Sequence, residues 1–401
     1  MVPGRRRIPT PMVPPTVMAS PNAIPKARCS CPNFLEWPGG ILITMSSSLA
    51  NGRTIPSHWY TDSAVLHTEI DKIFRRTWQP AGYVDKVSRP GEYLACEVAG
   101  EPVAIVRGND GVLRGFSNVC RHRASIILEG HGCAKSLRCP YHAWTYGLDG
   151  KLLVAPEFEG VEDWDLKQVS LPPVRVAVWG PFVFVNIDGQ APPLAEVMGD
   201  IPAQVAELGC PIDQLHFSYR RDYLINCNWK VYVDNYLEGY HLPAAHPSLF
   251  RELDYNQYRV DTFRYYSSQY APIRPPRPGR DEPRRYSRED AGNRALYFWI
   301  FPNFMLNVYP DNLSSNIILP VGHDKTLTIF EWFTYPRNGQ ASEIAADTVE
   351  FSDEIQQEDI KICENVQKGL RSSTYDRGRY SVKRENGVFH FHRLVEEFLS
   401  R

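Results

Sequence analysis

Two short motifs that each pair a cysteine with a histidine constrain this chain most. Cys120 and His122 form the first, Cys139 and His142 form the second, and sixteen residues separate His122 from Cys139. Two thiolates and two imidazoles on two loops are the ligand set of a Rieske [2Fe-2S] cluster, in which the cysteines hold one iron and the histidines hold the other. Because a neutral imidazole replaces an anionic thiolate on the second iron, less negative charge opposes the incoming electron and the reduction potential rises.

A zinc site is the alternative interpretation, because cysteine and histidine at short spacing also suit tetrahedral zinc. Structural zinc sites typically place two cysteines two to four residues apart. Here each motif carries one cysteine and one histidine instead, and this arrangement favours the cluster.

The length and charge of the chain limit its class. With 401 residues it is long enough for two domains with sizeable cores, at roughly one domain per 150 residues. A net charge of −2 indicates neither a nucleic acid nor a membrane surface as a partner, and no apolar run approaches the ~20 residues of a membrane span. Nine cysteines in a long chain are unlike a secreted disulfide scaffold, so we expect reduced thiols and a cytoplasmic protein.

The first 45 residues differ in composition from the rest. They are rich in proline and carry five basic residues against the single acid Glu36. Such sequence does not build a core, so we predict a disordered extension over residues 1–56, with Met45 as an alternative start of translation. We do not expect the arginine run at residues 5–7 to be a twin-arginine signal, because no apolar stretch of sufficient length follows it.

Residues 57–190 have the pattern of a small antiparallel β domain led by a helix. Thr61 or Asp62 can cap that helix, whose apolar residues then recur at helical spacing. Tight turns are predicted at Gly111 and Gly150, and short β-rich runs cover residues 92–98, 102–106, 174–178 and 182–186. Loops on such a rigid scaffold can direct two metal-binding motifs toward one point.

A second constellation lies about a hundred residues downstream. Residues 229–241 predict a helix that Pro243 then breaks. His241 and His246 are five residues apart, which on a straight helix separates them by about 140°, but the break allows both imidazoles to face one metal. Two histidines and one carboxylate form the facial triad of non-haem iron(II) oxygenases. The alternative is a pair of ordinary core or surface histidines.

The carboxylate of such a triad must come from elsewhere in the chain. Residues 341–370 predict an amphipathic helix with an apolar side. The spacing does not choose among its acids, and the alternative is that they are solvated helix charges. The candidates are Asp353, Glu354, Glu358, Asp359 and Glu364.

Together these motifs resemble the catalytic (alpha) subunit of the Rieske non-haem iron oxygenases. The resemblance extends over about residues 60 to 400 and is carried by both Cys/His pairs, residues 235–241 with His246, and residues 357–359. It implies an α+β protein with an antiparallel β Rieske domain at 57–190, and a helix-grip catalytic domain with an antiparallel sheet at 191–401. It also implies that Asp359 is the third iron ligand beside His241 and His246.

The same resemblance assigns roles to Glu238 and Asn235. Glu238 matches a bridging acid, most often aspartate in the family, that links the iron ligand to a cluster ligand of the neighbouring subunit; by position these are His241 and His142. Glutamate at this position resembles the branch that acts on choline, betaine and carnitine. Asn235 matches an asparagine near the iron, with a helix-capping or surface amide as the alternative.

The resemblance implies an oxidoreductase, a mono- or dioxygenase that uses O₂ and electrons from NAD(P)H. A ferredoxin and/or a flavin reductase would deliver the electrons to the cluster, from which they reach the mononuclear iron of the next subunit in a head-to-tail homotrimer. The implied reaction is hydroxylation of an aromatic ring, or hydroxylation or N-demethylation of a quaternary amine. The alternative function is a Rieske electron-transfer protein without oxygenase activity, against which the joint presence of His241, His246 and Asp359 argues.

The substrate site is less visible in the sequence. A basic, proline-rich stretch at residues 271–280 is a candidate for a loop that covers the site, with a solvated surface loop as the alternative. Five aromatic residues are candidates for an apolar pocket or a cage for a quaternary ammonium group, with plain core as the alternative. They are Tyr236, Tyr240, Phe301, Phe304 and Tyr309.

Overall fold

A computed structural model describes residues 48–274, 294–309, 312–335 and 343–401. Most of the predicted N-terminal extension, and residues 275–280 of the basic stretch, lie outside these described residues. Residues 48–56 are described, and there the chain is already packed. Ile55 is buried, and Thr54 N donates a hydrogen bond to Gly378 O, so the ordered chain begins before residue 57.

The predicted first helix is confirmed as α1 (Ser63–Glu69), which continues into a π-helical turn (Ile70–Phe74). The Asp62 side chain accepts a hydrogen bond from Ala64 N and so caps the otherwise unpaired first turn. Ile73 and Phe74 then bury their side chains in the core of the second half of the chain. The helix of the first domain therefore packs on the second domain.

The N-terminal half contains a seven-stranded antiparallel sheet with the strand order β1-β10-β9-β4-β3-β2-β5, and a small sheet β6-β7-β8. The predicted strands are confirmed. The ten strands are β1 (Gln79–Tyr83), β2 (Glu92–Val98), β3 (Glu101–Arg107), β4 (Leu113–Ser117), β5 (His131–Cys133), β6 (Leu137–Arg138), β7 (Thr145–Tyr146), β8 (Leu152–Val154), β9 (Pro173–Trp179) and β10 (Phe182–Asn186).

The predicted turn at Gly150 supports the small sheet. Its backbone has φ +83°, a left-handed conformation that glycine adopts without strain. A Cβ atom at this position would lie 2.5 Å from the Phe116 ring, so the hairpin between β7 and β8 approaches β4 this closely because residue 150 is glycine.

Two helices connect the halves, and a second seven-stranded antiparallel sheet follows with the order β11-β17-β16-β15-β14-β13-β12. The elements are α2 (Leu194–Met198), α3 (Ile201–Glu207), β11 (His216–Ile225), α4 (Trp229–Tyr236), α5 (Leu242–Ala245), α6 (Pro247–Glu252), β12 (Arg259–Thr262), β13 (Tyr266–Pro272), β14 (Arg294–Ile300), β15 (Phe304–Val308), β16 (Leu313–Gly322), β17 (Lys325–Thr334), α7 (Ala346–Leu370) and α8 (Asn386–Ser400). This is the predicted α+β class.

The second sheet is buried on both faces, and the alternation of side chains along β17 shows how. Phe330 and Trp332 point to the face covered by α4, α7 and α8, whereas Ile329 and Phe333 point to the opposite face. On that opposite face, Phe182 of β10 packs against Phe333 with ring centroids 5.0 Å apart. The second sheet thus packs on the first domain with one face and on its helices with the other.

A fully buried ion pair joins α4 to α1. Lys230 Nζ lies 2.6 Å from Glu69 Oε1, and both side chains are inaccessible to solvent. Trp229 Nε1 donates to the other carboxylate oxygen of Glu69, at 2.8 Å. Burial lowers the pKa of Lys230, and the Glu69 carboxylate opposes that shift. This pair joins α1 to the element that leads into the predicted metal-binding histidines.

Within the described residues, no helix has both the length and the hydrophobicity that a membrane span requires.

Candidate active site and metal centres

The two Cys/His motifs lie on loops with the same backbone hydrogen-bond pattern. Cys120 N donates to Ser125 O and Cys139 N donates to Trp144 O, each at 2.8 Å. Ala124 N donates to Cys120 O, and Ala143 N donates to Cys139 O. Both alanines have a left-handed backbone conformation, with φ 57° and 60°. The sequence thus builds one turn twice, and each turn folds around a buried cysteine.

The two turns bring the histidines together. The rings of His122 and His142 lie edge to face with centroids 4.7 Å apart, and His122 stacks on Trp144 at 5.0 Å. His122 Nδ1 is buried without a hydrogen-bond partner among the described residues, as expected of an atom reserved for a metal. His142 is exposed, so one side of the site faces outward.

The electrostatics favour the protonation states that bind metal. Burial raises the pKa of the Cys139 thiol, but hydrogen bonds that include those from the backbone N–H groups of Tyr141 and His142 outweigh it and leave this pKa below its usual value. Burial and the neighbouring His142 lower the pKa of His122. A thiolate and a neutral imidazole are the metal-binding forms, so the four side chains fit a cluster with two cysteine and two histidine ligands.

The second predicted site is also assembled. His241, His246 and Asp359 each offer a ligand atom, and these atoms lie within 4.8 Å of one another. The chain reaches this geometry differently from the prediction, because α4 ends at Tyr236 rather than continuing to His241. The Glu238 carboxylate accepts hydrogen bonds from the backbone N–H groups of Tyr240 and His241, which replaces the helical pattern there. Pro243 lies inside the short helix α5 and does not cause the break.

Each imidazole of this site is held by a carboxylate. Glu238 Oε1 lies 2.6 Å from His241 Nδ1, and Glu358 Oε2 lies 2.6 Å from His246 Nδ1. The Nε2 atoms therefore face Asp359 Oδ1, at 3.9 Å for His241 and 3.0 Å for His246. Metal-binding histidines typically donate the second ring N–H in this manner.

Asp359 is in turn held by Asn235, whose Nδ2 donates to Asp359 Oδ1 at 2.6 Å. The predicted proximity of Asn235 to this site is thus present in the structure. Burial alone would lower the pKa of His246, but the carboxylates of Asp359 and Glu358 raise it above its usual value. The two carboxylates thus favour positive charge beside His246, and a divalent metal bound at Nε2 would take the place of the proton there.

The other acids of α7 that were candidates for the third ligand are engaged in specific contacts and are not simply solvated charges. Asp353 accepts a hydrogen bond from Tyr223 OH and Glu354 accepts one from Ser248 Oγ, both at 2.9 Å. Glu364 accepts from Asn226 Nδ2 at 2.7 Å. Sequence reasoning missed the contact of Glu358 with His246. The adjacency of Glu358 to Asp359 was the available signal, since neighbouring helix positions are only about 100° apart.

A cavity of about 160 Å³ adjoins His241, His246 and Asp359. Amide and hydroxyl side chains from β15 and β16, including Asn307, Ser314 and Asn316, form part of its wall. Aromatic side chains form a large share of the rest; they include Tyr232, Tyr236, Tyr258, Tyr309, Phe330, Trp332 and Phe351.

Two of the five predicted pocket residues, Tyr236 and Tyr309, line this cavity. The other three candidates do not line it. Phe304 points to the opposite face of the sheet and packs on Phe182, at 5.2 Å between centroids, because side chains alternate along the strand. Phe301 packs against Phe398, and Tyr240 is 58% exposed in the loop after α4.

Two protein families match the regions that hold the two sites. Residues 77–165 match the Rieske [2Fe-2S] domain, and residues 212–401 match the ring hydroxylating alpha subunit (catalytic domain). The first match covers both Cys/His motifs, and the second covers His241, His246 and Asp359. These matches, together with the donor sets described above, favour the cluster over zinc at the first site.

Several known proteins are similar over most of the chain. The chloroplastic choline monooxygenase of Arabidopsis thaliana is 36% identical over 361 residues, which cover 88% of this chain and 84% of that protein. The carnitine monooxygenase oxygenase subunit of Escherichia coli strain K12 is 32% identical over 355 residues, which cover 86% of this chain and 93% of that protein. The structure of the quaternary ammonium Rieske monooxygenase CntA in complex with L-carnitine has a TM-score of 0.75 at 30% identity. The match covers 87% of this chain and 96% of CntA. Naphthalene 1,2-dioxygenase shares the fold, with a TM-score of 0.67 at 18% identity.

Proposed function

Because the chain belongs to the Rieske non-haem iron oxygenases, we propose that its substrate is a quaternary amine, which it hydroxylates or N-demethylates. The observation that carries this proposal is the aromatic wall of the cavity beside His241, His246 and Asp359. A quaternary ammonium group donates no N–H hydrogen bond, and aromatic faces attract its charge. The similarity to choline and carnitine monooxygenases supports the same substrate class.

Enzymes of this family carry a Rieske cluster and a mononuclear iron and receive electrons from a partner protein, and so does this one. We propose that Cys120, His122, Cys139 and His142 hold the cluster, and that His241, His246 and Asp359 hold the iron. When bound, the iron supplies the activation of O₂, and the protein supplies positioning and electrostatics.

The surrounding residues prepare the second site for its metal. Glu238 holds His241, and Asn235 holds the Asp359 carboxylate, so two of the three ligand side chains are directed before any metal binds. The aromatic and amide side chains of the cavity exclude bulk water and hold a substrate next to these ligands. In this proposal the ammonium group rests on the aromatic wall, and the carbon to be oxidised faces the metal.

The partner of Glu238 is proposed to be His142 of a neighbouring copy in a homotrimer. His142 is exposed at the tip of its loop beside Tyr141, which is 57% exposed, so it is free to meet another molecule. Glu238 already binds His241, and a second hydrogen bond to an incoming imidazole would join the two sites by a short path. A ferredoxin and/or a flavin reductase that draws on NAD(P)H is the proposed electron donor.

Two other functions find less support. Naphthalene 1,2-dioxygenase is similar in fold alone, so it does not favour aromatic ring hydroxylation. An electron carrier without oxygenase activity has no need of two histidines and an aspartate held by three further side chains.

The experiment that tests this proposal is product analysis with oxygen-18 labelled O₂, using iron-loaded enzyme and a reductase. We expect label in the oxidised product of choline, betaine or carnitine, or in the formaldehyde that N-demethylation releases, when the carbonyl group is reduced to an alcohol as it forms and so cannot exchange its oxygen with water. NAD(P)H should be consumed in proportion, and aromatic acids should give no labelled product. The matched control is 3,3-dimethyl-1-butanol, which has the shape of choline without its charge. If the aromatic wall selects the cation, KM for this alcohol will be roughly tenfold higher than for choline.

Labelled product from aromatic acids alone would overturn the proposed substrate class. Equal KM values for choline and its uncharged analogue would show instead that shape, rather than charge, selects the substrate.

A further inference from the structure

Two consecutive acids of α7 face the two nitrogens of one imidazole. Glu358 Oε2 lies 2.6 Å from His246 Nδ1, and Asp359 Oδ1 lies 3.0 Å from His246 Nε2. The imidazole is buried, at 1% exposure. The Glu358 side chain is 31% exposed, so this carboxylate reaches inward from the edge of the helix.

The contact at Nδ1 determines which nitrogen remains for a metal. A neutral histidine carries one proton, and a carboxylate at Nδ1 keeps the proton there, which leaves the lone pair on Nε2. We propose that Glu358 is a positioning residue, which fixes the tautomer and the ring orientation of His246 so that Nε2 binds the metal together with Asp359. This inference rests on the proposed role of His241, His246 and Asp359 as the metal ligands.

Glu358 differs from Glu238, the other carboxylate that holds an imidazole. Glu238 lies three residues before its histidine and also accepts two backbone N–H groups, so it shapes the loop as well. His246 is the one hydrogen-bond partner of Glu358 across the described ranges, and it comes from a loop 112 residues away. The side chain of Glu358 is therefore committed to this imidazole alone.

A purely structural tie between α7 and the loop that carries His246 is the competing explanation. The chain contains a natural control for it one turn earlier on the same helix. Glu354 Oε1 accepts a hydrogen bond from Ser248 Oγ at 2.9 Å, which also joins α7 to the segment after His246 but touches no imidazole. A role in positioning predicts different consequences for the two glutamates, whereas a structural role predicts similar ones.

The experiment compares Glu358→Ala, Glu358→Gln and Glu354→Gln with the parent protein, all stripped of mononuclear metal and with the cluster retained. Co²⁺ is titrated into each under anaerobic conditions, and the visible Co²⁺ spectrum reports both affinity and ligand geometry. We expect Glu358→Ala to weaken Co²⁺ binding about 10- to 100-fold and to change the spectrum. Glu358→Gln retains an acceptor oxygen and should recover part of the loss, and Glu354→Gln should bind like the parent.

The visible spectrum of the cluster, unchanged in each variant, checks that the protein is folded. If Glu358→Ala does not fold, Glu358→Gln carries the test, with weaker Co²⁺ binding than Glu354→Gln as the expected result. Parent-like Co²⁺ affinity and spectrum in both Glu358 variants would overturn this inference and leave the proposed function intact. A parent protein that binds no Co²⁺ at this site would instead overturn the assignment of the ligands.

Discussion

The two proposed metal sites of this protein are built in opposite ways. The proposed cluster ligands come from two copies of one local turn, and His142 remains at the surface. The proposed ligands of the second site come from distant segments, since His246 and Asp359 lie 113 residues apart, and His246 is buried. In the first site His122 Nδ1 has no partner among the described residues, whereas in the second both Nδ1 atoms bind carboxylates.

This difference reflects what each site must do. A site that exchanges electrons with other proteins benefits from an exposed edge and from ligands that a short loop holds in place. A site that holds a labile divalent metal beside a substrate benefits from burial and from second hydrogen bonds that direct its ligands. The two sites should therefore fail independently when their own ligands are removed.

The largest expected effect comes from separating the sites by mutation. Asp359→Ala should lose the mononuclear metal and abolish product formation while the cluster keeps its visible spectrum, because Asp359 touches only the second site. Cys139→Ser should do the converse, with loss of the cluster and retention of Co²⁺ binding at the second site. Metal and sulfide analysis with visible spectroscopy measures both.

The matched control for Asp359→Ala is Asp353→Asn, on the same helix but bonded to Tyr223. This variant should keep both metals. Loss of the cluster in Asp359→Ala would show that the two sites are coupled through folding and would break the comparison.

The same difference explains what could be predicted from the sequence. The ligands proposed for the cluster could be predicted because each Cys/His pair lies within one local turn, whose short spacing is present in the sequence. These residues are Cys120, His122, Cys139 and His142. Asp359 could not be chosen among five acids by spacing, since only the packing of α7 on the sheet brings it to the histidines. The prediction of Asp359 as the third ligand rests on the resemblance to a family.

Tertiary and side-chain contacts also determine two features that could not be predicted from the sequence: the end of α4 and the position of Phe304. The helix that begins at Trp229 ends at Tyr236, and the Glu238 carboxylate then accepts the N–H groups of Tyr240 and His241, a competition that helical spacing does not reveal. The sequence leaves both pocket and core open for Phe304, and its strand register places it in the core. Four strands of the first sheet, by contrast, follow from local β patterns and turns: β2, β3, β9 and β10.

The second expected effect concerns the link between the sites. Glu238→Gln should leave both metals bound but reduce product formation about 100-fold, because a neutral amide bridges two imidazoles poorly. Stopped-flow mixing of the reduced enzyme with substrate and O₂ measures the rate at which the cluster is reoxidised, and this rate should fall to the same extent. Glu358→Gln at saturating iron is the control, since Glu358 holds an imidazole without lying on the proposed path.

Full turnover in Glu238→Gln would remove the bridging role. Equal slowing of cluster reoxidation in both variants would show that Glu238 acts only by holding His241.

The third expected effect is on stability, and it should be confined to the second site. Lys230→Met leaves the Glu69 charge buried without its partner, which costs about 3–5 kcal/mol for pairs of this kind. The double variant Lys230→Met with Glu69→Gln removes that charge and keeps an acceptor for Trp229 Nε1, so it should recover about half of the loss. Hydrogen exchange, followed segment by segment, locates the change.

Exchange should rise in α1 and α4, which this pair joins, and remain unchanged in the turns around Cys120 and Cys139. The double variant should exchange more slowly than Lys230→Met. Faster exchange at both sites would mean that one cooperative core supports them, and the contrast between a local and a tertiary metal site would then hold for their ligands but not for their stability.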